Sequence, residues 1–130
     1  MAGISVSGNK KIATLQKDFN EQFPYLHICI AYSYARDDVK KGGSIRNIPG
    51  DKTIASVRRG EGKGTISIAG NKRVSSLETE FDKVFGLYCQ VCYTKKDGHA
   101  YYTSGSSDSM TLCALNEWAK KNGCKKGVWH

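Results

Sequence analysis

Residues 4–23, "ISVSGNKKIATLQKDFNEQF", return 62 positions later as residues 66–85, "ISIAGNKRVSSLETEFDKVF". Eight of the 20 aligned positions are identical, and most of the others are conservative exchanges. After a one-residue gap, "LHICIAY" (26–32) aligns with "LYCQVCY" (87–93). A self-similarity of this kind indicates that the chain contains the same structural unit twice.

Each copy begins with a short Ile/Val-rich run that predicts a strand, followed by a Gly-Asn turn. Leu77, Phe81 and Phe85 then recur with the spacing of an amphipathic helix, and the first copy keeps the same stripe. Apolar residues at alternate positions over 26–32 and 87–93 predict a second strand. In the second copy, the pair Asp97-Gly98 lies between strand-like flanks and therefore predicts a β-hairpin.

The end of each unit predicts a second helix. The stretch "DKTIASVRRG" (51–60) resembles "SMTLCALNEWAKKNG" (109–123). We expect Asp51 or Asp108 to cap the start of this helix, because aspartate accepts hydrogen bonds from free helical N–H groups. For the first helix of the second copy, which carries Leu77, Phe81 and Phe85, Ser75 followed by Glu78 predicts a capping box. Basic pairs are expected in the last turn of each second helix, and a glycine is expected to end it.

These elements predict an α+β fold built by tandem duplication of a β-α-β-(β)-α unit. A unit of about 60 residues buries little apolar surface alone, so we expect the copies to pack with pseudo-twofold symmetry into one compact domain. Residues 1–60 form the first unit, residues 61–64 a Gly-rich joint and residues 65–130 the second unit. A ferredoxin-like arrangement is one candidate, and two units side by side is the alternative.

The motif I-x-(I/V)-x-G-N-K, followed by L-x-x-x-F-x-x-x-F, covers most of the chain when both copies are counted. It resembles a repeat of small uncharacterised bacterial proteins that have a duplicated strand-GNK-helix-strand unit. The resemblance implies a shared scaffold and a bacterial source. It implies no activity.

The composition favours a partner that carries negative charge. The chain has 20 Lys and Arg residues against 12 acidic residues, which gives a net charge of +8. A positive excess attracts polyanions, although it also serves solubility alone. Because no apolar run approaches the ~20 residues of a membrane-spanning helix, we expect no membrane partner. Five cysteines without an export signal predict reduced thiols in a cytoplasmic protein.

Four basic pairs are the candidates for binding an anion. A loop that enters a helix can direct free backbone N–H groups at a phosphate, and neighbouring lysines add charge. Turns and solvated surface charges, or the helix dipole, explain the same residues without any ligand. The candidates are Lys10 with Lys11, Lys72 with Arg73, Arg58 with Arg59, and Lys120 with Lys121.

Aromatic residues could stack on nucleic-acid bases beside these charges. The candidates are Tyr93, Tyr101 and Tyr102 in the predicted hairpin and Trp129 in the basic C-terminal tail. Tyrosine is also common in strands for packing reasons, so the pattern alone does not separate the two roles.

Neither a metal site nor a catalytic site is predicted. Cys89 and Cys92 have the C-x-x-C spacing of metal ligands, but in a strand residues i and i+3 lie on opposite faces. Cys113 and Cys124 lack a second such motif. Because no recognisable motif places a nucleophile or carboxylate beside a histidine, we expect no cofactor and no enzymatic activity.

The sequence therefore predicts a small, basic, non-enzymatic binding protein that contacts nucleic acid or nucleotide phosphates. The alternative is a protein-binding module, such as an inhibitor, an antitoxin-like protein or a counter-defence protein. It would act through the stretches 33–50 and 94–108, which differ most between the copies and are expected to be loops.

Overall fold

The computed structural model describes residues 4–32, 47–58, 64–103 and 109–128, and over these the chain is α+β, as predicted. Of the predicted joint at 61–64, only Gly64 belongs to these residues. In chain order the elements are β1 (Ile4–Val6), α1 (Ile12–Gln22), β2 (His27–Tyr32), α2 (Ile54–Val57), β3 (Ile66–Ile68), α3 (Val74–Phe85), β4 (Leu87–Thr94), β5 (Ala100–Tyr102) and α4 (Leu112–Lys121).

The described strands form two antiparallel sheets. β1 pairs with β3, and Ser5 lies opposite Ser67 at the centre of that pair. β2 pairs with β4, with Cys29 opposite Gln90, and β5 extends this second sheet along β4. This pairing differs from the ferredoxin-like arrangement, in which the strands corresponding to β2 and β4 would flank the β1–β3 pair in one sheet. Among the described strands, β2 and β4 pair with each other instead.

Two pairs of phenylalanine rings lie in the hydrophobic core. Phe19 and Phe23 are 5.1 Å apart between ring centroids, and Phe81 and Phe85 are 5.3 Å apart. All four side chains are almost completely buried, which confirms the apolar stripe predicted for the two long helices. Truncating a buried phenylalanine to alanine typically costs about 3–5 kcal/mol, so these rings are major contributors to stability.

Reciprocal backbone hydrogen bonds join the GNK turn of each copy to the start of the second helix; we call each set a clasp. In the first clasp, the N–H of Ile12 donates to the carbonyl of Lys52 (2.9 Å) and that of Ala13 to Gly50 (3.0 Å). In return, the N–H of Ile54 donates to Lys10 (2.9 Å) and that of Ala55 to Gly8 (2.9 Å). In the second clasp, the N–H of Val74 donates to the carbonyl of Met110 (3.0 Å), and the N–H groups of Leu112 and Cys113 donate to Lys72 (2.9 Å) and Gly70 (3.0 Å). The clasps therefore bind N–H groups that a helix start otherwise leaves free.

The clasps also determine how the helices are capped. Thr53 and Thr111 cap α2 and α4, and each hydroxyl accepts a hydrogen bond of 3.2 Å from the N–H three residues later. The prediction of an Asp51 cap is therefore wrong, and Asp108 lies outside the described residues. The capping box at Ser75 is also wrong, because α3 begins at Val74 without a side-chain cap and its first N–H is bound by the clasp.

The second helices differ in length. α2 has four residues and ends at Val57, so Arg58 follows the helix instead of lying in its last turn. α4 has ten residues and carries Lys120 and Lys121 in its last turn, as predicted. The hairpin prediction is confirmed: β4 turns into β5 through Gly98, whose φ of +85° favours glycine.

We predict that Gly70→Ala destabilises the protein through the second clasp. A Cβ atom at this position would lie 2.2 Å from the sulfur of the exposed Cys113, which would have to rotate away at a cost of about 0.5–1.5 kcal/mol. Urea denaturation of the single and double variants measures the effect. In a Cys113→Ala background the loss should largely disappear, because the Cβ of residue 113 is 3.4 Å away. An equal loss in both backgrounds would contradict the proposed contact.

Candidate functional site

The lysines of the two GNK turns form equivalent ion pairs. The Lys10 ammonium donates to Asp18 at 2.8 Å, and Lys72 pairs with Glu80, each carboxylate lying eight residues further along the chain. Both lysine side chains are mostly buried, with 19% and 17% of their surface exposed. The structure thus gives Lys10 and Lys72 intramolecular partners on α1 and α3.

The backbone of the turns offers few free donors for a phosphate. The N–H groups of Ile12 and Val74, at the starts of α1 and α3, are bound by the clasps. The side chains of Lys11 and Arg73 are exposed. The backbone of Lys11 forms an isolated β-bridge with Thr53, and that of Arg73 forms one with Thr111. The side chains of Lys11 and Arg73 therefore supply exposed charge at the turn, without the N–H groups on which the predicted phosphate site depended.

Arg58 connects the two halves of the chain. Its guanidinium donates to the carbonyl of Val84 at 2.8 Å and lies 5.1 Å from the centroid of the Phe85 ring. A cation held over an aromatic ring and bound to a helix C-terminus stabilises the packing between α2 and α3. Arg58 is therefore a packing residue. Arg59, the other member of this candidate anion-binding pair, lies outside the described residues.

Three aromatic side chains meet where the hairpin approaches α4; we call Tyr93, Tyr101 and Trp118 the aromatic patch. The rings of Tyr93 and Tyr101 are nearly parallel, with an interplanar angle of 18° and centroids 6.0 Å apart. Trp118 contacts Tyr93 edge-on, at 5.3 Å and 72°. Tyr101 and Trp118 are each 36% exposed, and they are the exposed large hydrophobic side chains of the described chain.

Lys95 contacts the aromatic patch, and two further lysines lie on the adjoining segments. The ammonium of Lys95 lies 4.4 Å from the centroid of the Tyr101 ring, within the range of a cation–π contact. Its charge is also close enough to Cys124 to oppose the increase that burial causes in the pKa of that thiol. The stem of Lys96 packs against Gly123, and the backbone of Lys125 donates to Thr94 at 2.8 Å. The patch is therefore an apolar surface with positive charge at its edge.

Hydrogen bonds hold the exposed end of the patch in place. The Tyr101 hydroxyl donates to Asp97 at 3.0 Å, and the same carboxylate accepts the His99 N–H at 2.9 Å. The bond to Asp97 raises the pKa of Tyr101, and the His99 N–H is the main cause that lowers the pKa of Asp97. Tyr101 is thus kept neutral and oriented, which suits a stacking surface.

The sequence prediction located only part of this patch. It named Tyr93 and Tyr101 but missed Trp118, since only the packing of α4 on the hairpin brings that ring to them. Tyr102 is half-buried and lies opposite Cys92 on the other face of the hairpin. Trp129 lies outside the described residues, as do residues 33–46 and 104–108 of the two predicted loops. Lys120 and Lys121 are exposed, on the same helix as Trp118.

A second cluster lies on the face of the β2–β4 sheet that points away from the phenylalanine core. It consists of His27, Cys29 and Cys92, whose ligand atoms all lie within 4.8 Å of one another; we call it the thiol–imidazole cluster. The two sulfurs are 3.5 Å apart. The hydrogen bond between the two thiols lowers the pKa of Cys29, while burial raises the pKa of Cys92.

The sequence prediction considered Cys89, Cys92, Cys113 and Cys124 as possible ligands, and not His27 or Cys29. Cys89 and Cys92 do point to opposite faces, and Cys89 lies in the apolar core. Cys92 instead meets His27, its direct partner across the ladder, and Cys29, two residues further along β2. The alternation of β2 already placed His27 and Cys29 on one face. Cys92 joins these two residues only through the β2–β4 register, which cannot be predicted from the sequence pattern.

Comparison with protein-family models, with curated proteins and with solved structures gives no match. The resemblance of the repeat to small bacterial proteins therefore stays a prediction. Within the described part of the chain, no helix is both long enough and apolar enough to cross a bilayer.

We predict that Lys72 and Glu80 are energetically coupled. Partly exposed ion pairs contribute up to about 1 kcal/mol, and added salt screens them. A double-mutant cycle of Lys72→Met and Glu80→Gln in urea should therefore give a coupling energy of that size that falls in 1 M salt. The pair Lys72 and Glu21, an exposed carboxylate on α1, serves as the control. A coupling no larger than the control would argue against a structural role for the lysine.

Proposed function

We propose that this protein is a non-enzymatic binding protein for single-stranded nucleic acid, and that the aromatic patch is its binding surface. The observation that carries the proposal is the nearly parallel pair of Tyr93 and Tyr101, with the Lys95 ammonium 4.4 Å from the exposed Tyr101 ring. Stacking of bases on aromatic side chains beside positive charge is how proteins bind single strands without sequence preference.

The two exposed rings of the patch are the surfaces on which we expect unstacked bases to stack. Tyr101 and Trp118 each leave about a third of their surface open, so a base can stack without displacing a core residue. Each stacked base contributes about 1–3 kcal/mol, and the lysines around the patch add contacts to phosphates. Bases in a duplex already stack on each other, so this patch favours a single strand.

The proposal shifts the anion-binding residues from the GNK turns to the hairpin and α4. Lys10 and Lys72 are held in ion pairs, and the N–H groups that would face a phosphate are used in the clasps. Lys95, Lys96, Lys120 and Lys121 are exposed and lie on the elements that carry the patch. We assign phosphate contact to these four, with Lys11 and Arg73 contributing only to the overall positive field.

We further propose that the fold is a tandem duplication with pseudo-twofold symmetry. Three features support it. The pairs Ser5 with Ser67 and Cys29 with Gln90, at or next to the middle of their ladders, join aligned positions of the repeat. The clasps and the lysine ion pairs also occur once in each copy. In this view α2 and α4 are counterparts of unequal length, and the longer one carries Trp118.

The cytoplasm is the compartment we propose for this activity. All five cysteines are free thiols, which agrees with a reducing environment. Single-stranded nucleic acid is also most abundant there as RNA, so an unstructured RNA is the first ligand to test.

We predict that Tyr101→Leu and Trp118→Ala weaken binding of a fluorescein-labelled oligouridylate by about 5- to 150-fold each, the equivalent of one lost stack. Fluorescence anisotropy at low salt measures the affinity. Lys95→Gln should weaken binding and reduce its salt dependence, because one phosphate contact is lost. Lys17→Gln, an exposed lysine on α1, is the matched control and should leave both unchanged.

A Trp129→Phe variant makes Trp118 the sole tryptophan and thus a direct reporter of the patch. Its fluorescence should be quenched when the oligonucleotide stacks. Absence of an anisotropy change at low salt would end the proposal. Loss of binding in Lys11→Gln and Arg73→Gln but not in Lys95→Gln would move the site back to the turns. Binding of a host protein that survives high salt would favour the protein-binding alternative.

A further inference from the structure

We propose that His27, Cys29 and Cys92 bind one Zn²⁺ ion, which joins β2 to β4. The imidazole and the two sulfurs converge from adjacent strands, with every pair of ligand atoms within 4.8 Å. This site is independent of the nucleic-acid surface proposed above, since it lies on the opposite face of the same sheet.

The geometry is close to what zinc requires. In a tetrahedral site with Zn–S bonds of about 2.3 Å, two thiolates lie about 3.8 Å apart, and a thiolate and an imidazole nitrogen about 3.6 Å apart. The sulfurs of Cys29 and Cys92 are 3.5 Å apart. The separations of the three ligand atoms, all within 4.8 Å, are therefore close to those of a tetrahedral zinc site.

The strand ladder holds the ligands in position before any metal binds. His27 lies directly opposite Cys92 in the β2–β4 register, and side chains at such positions have Cβ atoms about 4.5–5.5 Å apart. Cys29 is two residues along the same strand and therefore on the same face. His27 and Cys92 are buried, and Cys29 is half-buried as a residue, although it counts as buried within the cluster.

A polar side chain next to the cluster fits an outer-shell role. The oxygen of Asn47 accepts the Ile30 N–H at 2.8 Å and the Gln16 amide at 3.3 Å, which fixes the orientation of its carboxamide. Asn47 also acts on Cys29 as a hydrogen-bond donor that lowers the pKa of the thiol. An N–H group that donates to a coordinating sulfur orients and stabilises a thiolate ligand.

Two thiolates and an imidazole match Zn²⁺ better than harder cations. Oxygen-preferring ions such as Mg²⁺ and Ca²⁺ are disfavoured by sulfur, whereas zinc takes sulfur and nitrogen with tetrahedral geometry. On binding, the thiol protons of Cys29 and Cys92 pass to the solvent and the imidazole binds in its neutral form. Among the described residues, no further histidine, cysteine or carboxylate joins the group, so the fourth position is available to water or an external ligand.

The test uses the full chain, kept reduced, with Co²⁺ as a spectroscopic probe for Zn²⁺. One equivalent should produce a thiolate-to-cobalt charge-transfer band and the strong visible bands of a tetrahedral site, and one equivalent of Zn²⁺ should remove them. Cys29→Ser, Cys92→Ser and His27→Gln should each weaken zinc binding by about 100-fold or more, while Asn47→Ala should weaken it by about 10- to 100-fold with a similar spectrum. Cys113→Ser, which removes an exposed thiol, is the control and should bind normally.

Thermal unfolding gives a second measurement that does not depend on cobalt. Zn²⁺ should raise the Tm of the unaltered chain and of Cys113→Ser, but not that of Cys29→Ser. Cys29 is half-buried, so this variant is expected to fold without metal. The proposal is overturned by a cobalt spectrum that persists in Cys92→Ser or by a zinc-induced shift in Tm that persists in Cys29→Ser.

Discussion

The antiparallel ladder between β2 and β4 is the constraint on which the rest of the structure depends. It comprises six residue pairs, from His27 opposite Cys92 to Tyr32 opposite Leu87, and it joins the first half of the chain to the second. Because side chains alternate between the faces of a strand, this register decides which residues of β2 and β4 enter the core. A shift by one residue would move Ile28 and Val91 out of the core and bury polar side chains in their place.

The duplicated GNK turn has a structural explanation in the clasps. Its glycine allows the second helix to approach the turn closely, since a Cβ atom at Gly8 would lie 3.1 Å from that of Ala55. Its lysine pairs with a carboxylate eight residues later, and its backbone pairs with the residues before the second helix. The same three requirements occur in both copies. The repetition of the motif therefore follows from the repetition of the unit, without reference to a ligand.

Local sequence patterns predicted the elements, whereas contacts between distant segments determined the details. The period of Leu77, Phe81 and Phe85 predicted α3, and Asp97-Gly98 predicted the hairpin, because helices and tight turns depend on neighbouring residues. The caps were wrong because clasp residues far along the chain bind the helical N–H groups. The interaction of Lys72 with Glu80 was not predicted, since the lysine precedes the helix and reaches along it. Strand pairing was likewise beyond the sequence pattern.

The two proposed sites lie on opposite faces of β4. Cys92 points to the face that carries the thiol–imidazole cluster, and its neighbour Tyr93 points to the opposite face, where the aromatic patch lies. β5 supports both, because Tyr102 pairs with Cys92 and Tyr101 pairs with Tyr93. A metal ion that joined β2 to β4 would therefore hold in place the strand on which the nucleic-acid surface is built. The contacts of the two sites remain separate, so a substitution on one face changes no ligand on the other.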